Sequence, residues 1–228
     1  MDRDTQVLRD IGRNRGQVRA LLEQRYFSGS GADRVLQRLA DQGRLNVLKN
    51  AIPGGLSWYQ LTEAEARRQG LPEPSPPKQR TVLRKNLAIA WCTAMGPCRR
   101  LRLIPSECRQ LSGDESLIAP HIAEHSGDQS SVYRVYVPEP TAQDEPFITS
   151  VRQHAFRAVE HPRLLEWVRR DTYRYLVLVH SEQRARDLER LIARRDFPTL
   201  GLRFEVVPSF EQFHSALSAT VVLESEQL

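Results

Sequence analysis

Four of the seven residues in Leu71-Pro72-Glu73-Pro74-Ser75-Pro76-Pro77 are prolines. Proline fixes its own φ, lacks a backbone donor and turns the residue before it away from helical geometry. No helix or central strand passes through such a stretch, so the chain is divided there. The sequence predicts one domain over residues 1–72, a semi-rigid spacer over 73–80, and a second domain over 81–228.

Charge is divided in the same place. Residues 1–80 hold 14 Lys+Arg against 9 Asp+Glu, whereas residues 81–228 hold 19 of each. The whole surplus of +5 therefore lies on the smaller part. A surplus confined to one small domain is the electrostatic footprint expected of a surface that meets phosphates.

Within that part, Val7, Leu8 and Ile11 form one apolar stripe, and Val18, Leu21, Leu22 and Tyr26 form a second. Both recur at helical spacing, with a turn around Gly16 between them. Ser28-Gly29-Ser30-Gly31 predicts a turn that can cap a third helix. That helix runs from about Ala32 to Gln42, turns Val35, Leu36 and Leu39 inward, and ends at Gly43. Short strands follow near Leu45–Leu48 and Leu56–Leu61, with a hairpin tip over Asn50-Ala51-Ile52-Pro53-Gly54-Gly55. Thr62 and Glu65 form a capping box for a last helix to about Gln69. This order predicts an α+β fold, a winged helix-turn-helix.

The second helix of a helix-turn-helix lies in the major groove and offers polar side chains to base edges. Here Ser30, Gly31, Arg34, Gln37, Arg38 and Asp41 fall outward by helical spacing. Arg34 and Arg38 can fork onto guanine O6/N7, and Gln37 onto adenine N6/N7. Small residues at the helix start let a phosphate approach its N-terminus. Lys49 and Asn50 form a wing, and Arg13, Arg15 and Arg19 around the first inter-helix turn are placed to meet phosphates. Charged runs of this kind also occur as ordinary solvated faces.

Asp2-Arg3-Asp4, Val7-Leu8, Val18–Leu22, Tyr26-Phe27 and Arg34…Leu39…Gly43-Arg44-Leu45 together form a pattern that resembles the N-terminal winged helix of the replication-relaxation family. Pro53-Gly54-Gly55…Tyr59…Leu61-Thr62…Gly70-Leu71-Pro72 continues the resemblance. It implies a protein of plasmids and other mobile elements, engaged in their replication or mobilisation. It also implies a C-terminal α/β domain similar to restriction endonucleases, to which Tyr175–Val179 followed by Ser181 through Leu191 is similar. A nuclease of that class needs an Asp on one strand and Asp/Glu-x-Lys on the next, to hold Mg²⁺ and activate water. The matching positions here read Ala119-Pro120-His121 and Tyr133-Arg134-Val135-Tyr136, and acid-x-Lys occurs nowhere in the chain. The resemblance thus implies a degenerate, non-catalytic copy.

In residues 81–228 the pattern predicts an apolar helix over Val82–Met95, with Trp91 on its face, either as a surface for pairing two copies or as a face packed on its own domain's sheet. A strand is predicted at Leu101–Ile104, and residues 105–130 read as irregular. Val132–Val137, Tyr173–His180 and Leu202–Val207 read as strands. Helices are expected at Phe147–Val159 and Leu164–Val168, after the cap Ser181 to Arg194, and after the cap Ser209 to Leu217. This alternation predicts an α/β domain with a mixed sheet.

Other classes are excluded. No apolar run approaches the ~18–20 residues of a membrane span, and Met1-Asp2-Arg3-Asp4 does not open a signal peptide. Cys92, Cys98 and Cys108 are odd in number and lack CxxC spacing, which favours a reducing cytoplasm over disulfides or zinc. His121-Ile122-Ala123-Glu124-His125 fits H-x-x-E-H, but that chemistry needs a helix, and Pro120 and Ser126-Gly127 leave barely one turn. No cofactor and no metal site is expected.

The sequence therefore predicts a cytoplasmic, sequence-specific, double-stranded-DNA-binding homodimer, a transcriptional regulator of a bacterial mobile element. Two alternatives remain: an accessory protein that binds an origin and contacts another mobile-element protein, and a metal-dependent nuclease with an unrecognised site.

Overall fold

A computed structural model describes residues 2–27, 31–74, 80–113, 119–140, 143–198 and 200–225. It is a mixed α+β structure whose chain forms two compact units, 1–95 with 208–228, and 96–207.

The first unit begins with helices and a small antiparallel sheet. Helix α1 (Arg3–Arg13) starts where Asp2 accepts the Thr5 N–H, and it buries Val7, Leu8 and Ile11. Capping of this kind satisfies one of the orphan donors of the first turn. The turn that follows needs a glycine. Gly16 has φ 133°, and a Cβ there would lie 2.1 Å from Nε1 of the buried Trp58. Strand β1 (Gln17–Val18), helix α2 (Arg19–Tyr26) and helix α3 (Ala32–Asp41) come next. Strands β2 (Leu45–Ile52) and β3 (Leu56–Leu61) make a hairpin, and the three strands lie in the order β1-β3-β2. Helix α4 (Glu63–Gln69) is capped by Thr62, which accepts from the Glu65 N–H.

Two sequence expectations are altered here. The first hairpin strand runs on to Ile52, past a register shift in which Asn50 takes φ 54°; asparagine is among the residues that tolerate this left-handed conformation. The Glu65 carboxylate does not close a reciprocal capping box. It accepts from Arg44, Arg68 and Gln69 instead. Burial acts to raise its pKa, but those hydrogen bonds outweigh burial and hold it at about 2.

The larger correction concerns the division of the chain. Helix α5 (Arg80–Met95) and helix α10 (Phe213–Ser225) were expected in the second domain, yet both belong to the first unit. Leu83, Leu87 and Ala90 of α5 share one apolar cluster with Val18, Leu21, Ile52, Trp58, Phe210, Phe213 and Leu217. Trp91 meets Phe213 edge-on at 5.2 Å between ring centroids. The α5 face nominated for pairing two copies is thus buried within its own unit. A proline-rich spacer breaks secondary structure, but it does not prevent the next helix from folding back onto an apolar surface that the first seventy residues leave uncovered. The spacer itself lies largely outside the described residues.

In the second unit, strands β4 (Arg99–Arg102), β5 (His121–Ser126), β6 (Gln129–Tyr136), β7 (Tyr173–Val179) and β8 (Leu202–Val206) form one five-stranded sheet in sequence order. Strands β4, β5 and β6 are antiparallel, and β6, β7 and β8 are parallel. Helices α7 (Asp144–Glu160), α8 (Pro162–Arg169) and α9 (Glu182–Ala193) supply the right-sized crossovers that parallel strands require. Their apolar residues pack on Tyr173, Tyr175, Val177 and Val179. The stretch 105–130, expected to be irregular, contains helix α6 (Pro105–Ser112), all of β5 and the start of β6. Its strand was hidden because β5 carries buried polar residues, His121 and Glu124, where an apolar alternation would be sought. The H-x-x-E-H motif is therefore on a strand, where Glu124 faces away from His121 and His125.

Among the described residues no helix is long and apolar enough to cross a membrane, and none cluster as three or more His, Cys, Asp or Glu around a potential metal position.

Candidate nucleic-acid interface

Helix α3 turns Ala32, Val35, Leu36 and Leu39 into the core, which leaves Arg34, Gln37, Arg38 and Asp41 exposed. The hairpin adds a second wall. Trp58 and Gln60 of β3 are buried, so the period-two alternation sends Ser57 and Tyr59 to the opposite side. Between helix and hairpin lies an open groove of about 820 Å³. Five of the residues expected to bind DNA line it: Arg34, Gln37, Arg38, Lys49 and Asn50. Residues 34, 37 and 38 share a helix face, and the packing of α3 beside β2 brings 49 and 50 alongside them, which sequence spacing alone does not require.

Their availability differs. Arg34 and Lys49 have no polar partner among the described residues. Gln37 donates to Asp41 at 2.8 Å. Arg38 donates to Asp4 of α1 at 2.6 Å, with its side chain half-exposed. Surface pairs of this kind are worth little, about 0–1 kcal/mol, so Gln37 and Arg38 can exchange these partners for others at small cost.

The remaining candidates are placed otherwise. Arg19 does not line the groove. It donates to both carboxylate oxygens of Asp33, a residue that does, and also pairs with Glu23 at 3.3 Å. The hydrogen bond from Arg19 to Asp33 raises its pKa further. Arg15, with φ 62°, is half-buried and donates to the Glu73 carbonyl at 3.1 Å, fastening the segment that follows α4. Burial lowers its pKa. Arg13, in the last turn of α1, is half-buried and lies near Asp10. Neither Arg13 nor Arg15 lines the groove. Gly31 is the N-cap of α3 with φ 104°, exposed and with open space where a Cβ would stand. Ser30 lies outside the described residues.

The hairpin tip is also different from the free wing expected. A Cβ on Gly54 would meet His214 at 2.8 Å, and Ile52 is part of the cluster that contains Phe210 and Phe213. The tip leans on the C-terminal helix, so Lys49 and Asn50 face the groove from the body of the hairpin, with Val47, Ser57 and Tyr59.

Two charged or polar participants, Tyr59 and Asp33, did not follow from the outward stripe of the third helix. Tyr59 was legible from the alternation around Trp58, and its hydroxyl is kept protonated by burial and then by Asp33. Asp33 lines the groove beside Asp41, which was expected to face outward, and the two carboxylates temper its positive charge. The first unit still carries most of the surplus charge, 16 Lys+Arg against 12 Asp+Glu, compared with 17 against 16 in the second.

The two segments compared above with a nuclease, Ala119-Pro120-His121 and Tyr133-Arg134-Val135-Tyr136, lie at the start of β5 and on β6, with His121 and Arg134 directly paired in register. When compared with known proteins, the chain matches no family model, no curated protein and no solved structure.

Proposed function

We propose that this chain is a sequence-specific, double-stranded-DNA-binding protein whose first unit is a winged helix, with α3 as the helix that enters the major groove. The observation that carries this reading is the convergence of Arg34, Gln37, Arg38, Lys49 and Asn50 on one open groove. Arginine forks and a glutamine amide on one helical stripe match the donor and acceptor pattern of purine edges. Lys49, from the adjacent strand, adds a point charge for the backbone. The biological role proposed is a transcriptional regulator of a bacterial mobile element, consistent with the resemblance carried by residues 1–72. Pairing of two copies, the usual remedy for the small footprint of one such unit, would use a surface other than the apolar face of α5.

We read the second unit as non-catalytic. Neither segment compared with a nuclease supplies the paired acids that a divalent cation needs, and the Arg134 guanidinium would repel one.

The full chain, incubated with random-sequence duplexes and selected over several rounds, should enrich a defined motif. The logarithm of its binding constant should fall linearly with log salt. Enrichment of no motif, with no binding even at low salt, would overturn the reading. Incubation with supercoiled plasmid and Mg²⁺ should leave the plasmid intact.

A further inference from the structure

The sheet of the second unit has two polar rows of opposite character. On one face Arg100 is wholly buried and donates to Glu124 at 2.7 Å and to Glu205 at 2.6 Å. Arg203 pairs with the same two acids, and Tyr133 donates to Glu124 at 3.2 Å. Every charge there is answered.

On the other face the answer is missing. The register places His121, Arg134 and Tyr175 directly opposite one another across β5, β6 and β7. Arg134 is half-buried, its Nε is sealed from solvent without a hydrogen bond, and no carboxylate pairs with it among the described residues. Its guanidinium lies over the Tyr136 ring at 5.8 Å and beside the Tyr173 hydroxyl. The Tyr175 hydroxyl, 1% exposed as a residue, faces this cluster beside Tyr136, and among the described residues no group meets it with good hydrogen-bond geometry. Tyr136 and the His154 Nδ1 are joined at 2.9 Å, and both residues are half-buried.

A half-buried cation without a counter-ion loses part of its hydration unanswered, and proteins usually pair such groups. We propose that Arg134, Tyr175, Tyr136, Tyr173, His121 and His154 form a binding site for a compact oxyanion, the phosphate or carboxylate group of a small ligand. Guanidinium offers such a group two parallel donors, and the unsatisfied Tyr175 hydroxyl offers a third. Burial, the largest influence on each phenol, raises Tyr136 to about 12 and Tyr173 and Tyr175 further, so none of them becomes the missing anion. Burial and then Arg134 lower His121 to about 4, so it adds a neutral edge and not a competing charge. The site is separate from the α3 groove and stands whether or not that groove binds DNA.

The test is calorimetric titration of the full chain with inorganic phosphate and, separately, with acetate, in chloride buffer of matched ionic strength at neutral pH. Saturable binding of one of the two is expected, and which one it is identifies the group. Arg134→Gln should weaken it at least about tenfold, as loss of a charge-assisted hydrogen bond requires. Tyr175→Phe, which removes only the unpartnered hydroxyl, should weaken it less and leave the melting temperature without ligand unchanged or higher. Arg34→Ala, in the groove of the first unit, should bind the anion as the natural chain does. In phosphate-free buffer Arg134→Gln should melt no lower than the natural chain, because an unanswered charge is gone. Absence of saturable binding, binding unchanged by both Arg134→Gln and Tyr175→Phe, or a lower melting temperature for Arg134→Gln without ligand would each overturn the proposal.

Discussion

The Arg38 guanidinium donates to the Asp4 carboxylate at 2.6 Å, so the outward face of α3 is tied to the first turn of α1. The pair is partly exposed, which limits its contribution to stability to about 0.2–1 kcal/mol. If α3 reads DNA, Arg38 must leave Asp4 to do so. Asp4→Asn should therefore raise affinity for duplex DNA while leaving the melting temperature nearly unchanged. Fluorescence anisotropy at two salt concentrations checks this, and an unchanged or weaker affinity would place Arg38 outside the interface.

Base readers and phosphate contacts should separate by substitution. Arg34→Ala or Gln37→Ala should lower the ratio of specific to non-specific affinity, by about 1–3 kcal/mol for a lost bidentate base contact. Lys49→Ala should weaken all sequences alike and reduce the salt slope by about one. Comparing each variant on the selected motif and on scrambled DNA gives the ratio directly. Loss of discrimination by Lys49→Ala alone would mean that the hairpin reads sequence and α3 does not.

The C-terminal helix should be needed by the first unit. Phe213 is fully buried against Trp58, Leu87 and their neighbours, and truncating a buried Phe to Ala costs about 3–5 kcal/mol. Phe213→Ala should lower the stability of the first unit by that order in urea unfolding followed through tryptophan fluorescence. A loss below about 1 kcal/mol would show that residues 208–228 are not part of that core.

Gly16→Ala should be among the most damaging single changes in the chain. Its φ of 133° disfavours any side chain, and the new Cβ would meet the Trp58 indole, whose buried position leaves it nowhere to move. Expression of the variant in insoluble form, or a melting temperature lower by many degrees, is the expected outcome.

Stability should fall in mild acid because of His121. Its ring contacts the Tyr173 hydroxyl at 3.1 Å and the Ala119 carbonyl at 2.8 Å, lies 3.9 Å from the Cys108 sulfur, and faces Arg134. Burial, followed by Arg134, lowers its pKa to about 4 from the ordinary 6.5. The unfolded chain therefore takes up the proton first. The stability that the neutral ring confers is fully present above pH 6.5 and is lost as pH falls toward 4. The loss should be on the order of 2–3 kcal/mol. Chemical denaturation between pH 7 and pH 4 measures it, and His121→Asn should flatten the slope.

What local sequence determined is clearest in the first seventy residues. The stripes Val7/Leu8/Ile11 and Val35/Leu36/Leu39, the caps Asp2 and Thr62, and the glycines after α3 and α4 act within a few residues of themselves, so spacing and residue type suffice to place the helices and the hairpin. The outward stripe Arg34, Gln37, Arg38 followed from the same helical period. The tertiary structure decided what lies far apart in sequence. Only folding shows that Lys49 and Asn50 share a groove with that stripe, that Arg19 is engaged by Asp33, and that Arg15 fastens the chain after α4. Only folding returns Phe213 to Trp58 across more than half the chain. The apolar faces of α5 and α10 were legible as apolar, but hydrophobic attraction is non-directional and does not name its partner. The polar row His121–Arg134–Tyr175 was equally hidden, because the register between β5, β6 and β7 is set by pairing across the sheet and not by any local pattern.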